Sequence, residues 1–144
     1  MIKSILLIPV CFALTTAAQT EVFKMKILDT ARYTIIQNNI AEPVYLSSDE
    51  LSKSETILKQ AINEQKVFAK TDFSKYRIQL VPSINAKGEK EIWINFFCYN
   101  DRRHEWRTKI FPRELVDDGG SCFFDLKVNL TLNNYSAFGM NGYG

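Results

Sequence analysis

Residues 116–131 read Val116-Asp-Asp-Gly-Gly-Ser-Cys-Phe-Phe-Asp-Leu-Lys-Val-Asn-Leu-Thr131. From Cys122 onward the run alternates. Cys122, Phe124, Leu126, Val128 and Leu130 share one face; Phe123, Asp125, Lys127, Asn129 and Thr131 share the other. A period of two describes a strand with one face on a core and the other largely wet. Asp117-Asp118-Gly119-Gly120 before it is turn chemistry, because glycine tolerates positive φ and aspartate bonds its own backbone.

Working outward, Glu91–Cys98 repeats the pattern with Ile92, Ile94, Phe96 and Cys98 together, and Tyr76–Val81 repeats it with Tyr76, Ile78 and Leu80. Asn85-Ala-Lys-Gly88-Glu89 lies between these two runs, so they form a hairpin. If the Glu91–Cys98 strand lies antiparallel to the Cys122 strand, Cys98 meets Cys122, Phe96 meets Phe124 and Ile94 meets Leu126. Tyr135–Met140 follows the Asn133-Asn134 turn as a last strand, and Tyr33–Gln37 forms an early one. A short strand is also expected near Thr108–Phe111.

Tyr45–Lys66 reads as a helix. Ser47 and Glu50 have the spacing of a capping box, and Leu51, Leu58, Ala61, Ile62 and Gln65 form one stripe with Ile57 at its edge. A helix with a single apolar stripe lies on a sheet. The fold class is therefore α+β, one amphipathic helix packed on an antiparallel sheet of about four strands.

At 144 residues, 46% of them hydrophobic, the chain is long enough for one well-packed domain. A formal charge of +2 gives no electrostatic case for nucleic acid or an acidic membrane surface. Residues 1–18 have the layout of a signal peptide: Lys3, an apolar run from Ile5 to Leu14, then Thr16-Ala17-Ala18, with cleavage expected near Ala18-Gln19. That apolar run is too short to span a bilayer, and no membrane span is expected. Ile8-Pro9-Val10 before Cys11 lacks the small residue that lipid modification needs. The expected division is signal peptide 1–18, an N-terminal segment 19–43 whose order the pattern does not decide, and one α+β domain over 44–144. Removal of the signal leaves Cys98 and Cys122, and an even pair in a secreted or periplasmic chain reads as a disulfide. Two buried free thiols are the alternative.

The Asp117-Asp-Gly-Gly-Ser-Cys-Phe-Phe124 run, Lys127-Val-Asn-Leu130 and the closing Asn141-Gly142 resemble a group of small exported bacterial proteins of unknown function, chiefly over residues 76–142. The order of one helix and then an antiparallel sheet also resembles cystatin-type domains in topology. Cystatin inhibitors carry Gln-x-Val-x-Gly at a hairpin tip. Here Gln79-Leu80-Val81-Pro82-Ser83 lacks the final glycine and falls inside an expected strand.

No pattern of catalysis emerges. His104 is the only histidine, which removes most histidine-based metal sites and two-histidine relays. Asp117 and Asp118 lack the ligand spacing of a calcium loop. There is no Gly-x-Ser-x-Gly elbow, no phosphate-cradling loop and no Cys-x-x-Cys pair, so no cofactor or metal is expected. Two surfaces remain as candidates for binding. Arg102, Arg103, Trp106 and Arg107 sit in a cation-rich loop, either as a binding hot spot or as a solvated loop with Trp106 tucked onto the sheet edge. Trp93, Phe97 and Phe123 fall on the wet face of the sheet and are too apolar for open water. Either the N-terminal segment covers them or they bind a partner. The function expected is a disulfide-braced, non-catalytic binding module for an unknown protein or glycan partner, or a small inhibitor or immunity-type protein acting on an extracytoplasmic enzyme.

Overall fold

A computed structural model describes residues 26–65, 68, 71–98, 104–110 and 120–140, without the side chains of His104 and Glu105. The signal segment, Cys11, Arg102, Arg103, Asp117 and Asp118 lie outside the described residues.

The β4 strand occupies Phe123–Asn129 and pairs antiparallel with β3, Lys90–Cys98, in the register that the meeting of Cys98 with Cys122 implies: Phe96 opposite Phe124 and Ile94 opposite Leu126. The β2 strand, Tyr76–Ile84, pairs antiparallel with β3, and β5, Asn134–Met140, with β4. Gly88 has φ +80°, a backbone that L side chains rarely adopt, and closes the β2–β3 turn by donating to Asn85 C=O at 2.9 Å.

The sheet has five strands and is mixed, where about four antiparallel strands were expected. The early strand expected at Tyr33–Gln37 is β1, Tyr33–Ile35, and it lies parallel to β2, which makes the sheet mixed. Its direction follows from the connection. The chain leaves β1, crosses the core face as helix α1 (Ser48–Glu64), and re-enters the sheet at the end where β1 began, as a strand–helix–strand crossover requires. Residues 108–110 form a turn and bend, not the strand expected near Thr108–Phe111.

The helix starts where its cap dictates. Glu50 N–H donates to Ser47 Oγ at 3.2 Å, and Ser47 N–H donates to Glu50 Oε2 at 2.8 Å. The hydrogen bond from Lys90 Nζ at 2.6 Å, then that from the Ser47 backbone, holds the Glu50 carboxyl below its ordinary value of 4.5. Ile57, Leu58, Ala61 and Ile62 are buried against the sheet. The core is continuous with Ile27 and Leu28, so the described residues ahead of β1 are packed into the domain.

At one end of this core, rings crowd together. Phe96 stacks on Phe124 at 4.2 Å, with Phe68 4.6 Å and Tyr76 5.4 Å from Phe124. Beside them Cys98 and Cys122 are joined by a disulfide, Cα–Cα 4.9 Å.

Candidate functional site

The second face of the sheet is polar along one row and aromatic along the next. Thr34, Gln79, Asn95 and Asp125 follow one another across four strands, and Phe97 pairs with Phe123 beside them. A short 3₁₀ turn, His104–Arg107, lies over this face as a strap. Trp106 is buried and meets Phe97 edge-on at 6.3 Å. Gln79, fully buried, donates both amide hydrogens to strap carbonyls, 2.7 Å to Trp106 and 2.6 Å to Lys109. Thr34 Oγ1 donates to Arg107 C=O at 3.3 Å. Arg107 lies 4.1 Å over the Trp106 ring and donates to Ala31 C=O at 3.1 Å.

This arrangement separates the candidate binding residues. Trp106 and Phe97 are buried against each other and present little surface to a partner. Trp93 and Phe123 are half-buried, and Arg107 is exposed but already engaged. Among the described residues, Trp106 packs over Phe97. The Gln79–Ser83 stretch lies within β2, not at a hairpin tip.

Gln79 also orients its neighbour. Its Nε2 must face the two carbonyls, so its Oε1 faces Asn95 and accepts from Asn95 Nδ2 at 3.5 Å. Asn95 Oδ1 is left buried with no partner among the described residues. Gln79→Leu removes the donor from the buried bond to Trp106 C=O and from the part-buried bond to Lys109 C=O, and the expected loss is about 1–3 kcal/mol. In a Trp93→Phe background the remaining tryptophan emission should shift to the red as the strap loosens. An unchanged emission and melting temperature would show that Gln79 does not hold the strap.

The carboxylate pair Glu89 and Glu91 has no counterpart in the sequence reading. Asn85 Nδ2 donates to both, at 2.8 and 3.0 Å, and Asn129 Nδ2 donates to Glu89 at 3.0 Å. Hydrogen bonds from Asn85, then Asn129, lower the Glu89 pKa, so Glu89 is an anion at neutral pH and a poor proton donor. Lys127 approaches Glu91 at 3.5 Å. The cluster clamps the hairpin base. Among the described residues no three His, Cys, Asp or Glu side chains converge as metal ligands, and no helix is long and apolar enough to cross a membrane.

A cleft of about 460 Å³ opens beside β2, between the 37–44 loop and the Pro82–Ile84 end of the strand. Asn38, Asn39, Glu42 and Ser83 give it polar groups, and Pro43 and Pro82 give it stiff walls. The loop is closed on itself: Gln37 Nε2 donates to Val44 C=O at 3.1 Å, and Val44 N–H donates to Gln37 Oε1 at 2.9 Å. Large exposed apolar side chains gather at this end of the sheet. Ile40 is 91% exposed, Tyr45 74%, Leu132 54% and Ile84 52%. Lys90 ties their loops together: its Nζ donates to Tyr45 C=O at 2.6 Å, and its N–H donates to Thr131 Oγ1 at 2.9 Å. The sequence carried one signal for this site. Proline inside a strand pattern marks an edge, and Asn38-Asn39 with Glu42-Pro43 mark a break in the chain facing it.

No family model, curated protein or solved structure matches the chain.

Proposed function

We propose that this protein is an exported, non-catalytic binding module, braced by Cys98–Cys122, that engages a protein partner through the loop end of its sheet. One observation carries the reading: the large exposed apolar side chains Ile40, Tyr45, Ile84 and Leu132 gather at the end that also holds the cleft. Exposed apolar groups scattered singly mean little, whereas several at one end of a sheet, beside a concavity that Ile84 lines, mark an interaction surface. Export rests on Lys3, the apolar run that follows it and the small residues at 16–18. A disulfide in the folded domain is compatible with an oxidising compartment.

Three baits test the reading against the exported fraction of the native cell. They are the oxidised protein, an Ile40→Ser, Tyr45→Ser, Ile84→Ser variant, and an Arg102→Ala, Arg103→Ala, Arg107→Ala variant. The serine substitutions fall on exposed side chains, so the fold is expected to survive. The expected result is a partner held by the first and third baits and lost from the second. A partner held by the serine variant but lost from the alanine variant moves the function to the strap, and capture by none of the three argues against a binding module.

A second reading, a small inhibitor or immunity-type protein, is favoured by the position of Leu132. The turn that carries it is tied to the base of the β2–β3 hairpin by Leu130 N–H donating to Lys90 C=O at 2.9 Å. Two adjacent loop tips with apolar side chains have the shape of a wedge. An inhibitor would abolish its target's activity at a stoichiometric dose, which a plain binding module does not do.

A further inference from the structure

We infer that the cleft beside β2 accepts an extended peptide segment carrying a basic side chain, one residue of which pairs with the main chain opposite Ser83. The inference rests on the binding-module reading and names the kind of partner surface that the site fits.

The cleft exists because a ladder stops. In the parallel β1–β2 pair, Ile78 N–H donates to Arg32 C=O and Ile36 N–H donates to Leu80 C=O, each at 2.9 Å. The next rung needs the N–H of residue 82, and Pro82 has none. The chain after Ile36 therefore leaves the edge, and residues 38–43 arc outward before Gln37 fastens the arc at Val44. The strand continues past the point where its partner departs.

Strand geometry sets what that edge offers. Bonds from Ile78 and Leu80 point toward β1, and groups two residues on point the same way. Pro82 C=O and Ile84 N–H thus face the cleft, where no described residue pairs with them. In a parallel ladder these two groups are satisfied by a single residue, whose N–H donates to Pro82 and whose C=O accepts from Ile84. Strand addition to an open sheet edge is a recognised mode of peptide binding, with main-chain bonds giving affinity and side-chain walls giving selectivity.

The lining chooses the side chains. Among the described residues, Glu42 is its only ionisable group, which favours a lysine or arginine on the occupant. Val44, Pro43 and Ile84 supply apolar wall for a β-branched neighbour. Among the described residues no aromatic ring lines the cleft to stack on a sugar, so the arrangement favours a peptide over a glycan.

The test pans a phage-displayed random heptapeptide library on the oxidised full chain and measures recovered sequences as synthetic fluorescein-labelled peptides. Recovered peptides are expected to share a basic residue near β-branched ones and to perturb the Val44 and Ile84 amide signals. N-methylation of the pairing residue should weaken binding about tenfold, the scale of one lost hydrogen bond at an interface. Ile84→Pro, which deletes the outward N–H, should do the same, and Glu42→Lys should remove the basic preference. Ile84 N–H points away from β3, so this substitution breaks no bond to that strand; a thermal melt checks the fold, and the N-methyl peptide provides the same test on unaltered protein.

Peptides that bind wild type, Ile84→Pro and their own N-methylated forms equally would overturn the proposal, as would a library that enriches nothing. Shifts at Val44 and Ile84 caused by N-acetylchitotetraose and by no peptide would assign the cleft to a glycan and also overturn it. A partner still lost from the Ile40, Tyr45, Ile84 serine bait in any of these cases leaves the binding module standing while this account of its site falls.

Discussion

Replacing Cys98 and Cys122 together by serine is expected to lower the free energy of unfolding by about 3–4 kcal/mol, the chain-entropy value for the 24-residue separation that the bridge spans. The bridge fixes both ends of the connection between β3 and β4, and the strap with Trp106 belongs to that connection. Without it, the unfolded chain regains the freedom of an open loop, while the native contacts of Gln79 and Trp106 remain available. Urea titration of the oxidised wild type against the double serine variant, at matched pH, reads the difference directly. A loss below about 1 kcal/mol would mean that the strap and the aromatic cluster already restrain this connection in the unfolded ensemble.

Phe124→Ala is expected to cost about 3–5 kcal/mol, the range for removing a large buried aromatic side chain. Phe124 is 1% exposed, stacks on Phe96 and touches the Phe68 and Tyr76 rings, so truncation leaves a cavity lined by groups already locked by one another. The control is its neighbour. Phe123 lies on the opposite face of the same strand and is half-buried, and Phe123→Ala should cost less than half as much. Equal losses from the two variants, measured by the same titration, would contradict the division of β4 into a core face and an outer face.

Much of this architecture is written in the sequence. The alternation from Cys122 and that ending at Cys98 each have one unambiguous apolar face, and a slip of one residue would turn every apolar side chain outward. The faces therefore follow, and placing Cys98 beside Cys122 then selects the register, with Phe96 against Phe124. Ser47 and Glu50 locate the helix start because both halves of a capping box lie within one turn of chain. The strand at Tyr33–Ile35 is expected from the sequence, but its parallel direction is not. Three residues, Tyr33–Ile35, carry almost no periodic signal, and their parallel pairing depends on a partner that begins more than forty residues later.

The candidate site was less legible than the fold. Arg102, Arg103, Trp106 and Arg107 attract attention as residue types, yet Trp106 is spent on covering Phe97, and the buried amide of Gln79 holds the strap carrying it. Nothing local to Gln79 announces this, because the carbonyls it bonds are those of residues 106 and 109. The cleft is hidden in the same way: Pro82 is visible as an edge residue, but the 37–44 loop that faces it is separated from β2 in sequence by the whole of helix α1.

The sequence by itself determined the α+β class, the core face of each central strand and the helix cap, and it pointed to the pairing of the two cysteines. Each of these follows from interactions that repeat along a strand or close within a turn, so a short stretch of chain carries them. Only the tertiary structure decided the direction of β1, which aromatic side chains remain available to a partner, and where a concavity opens. Those properties depend on which distant segment arrives to bury a surface or to leave it open, and periodicity within a segment carries no information about that arrival.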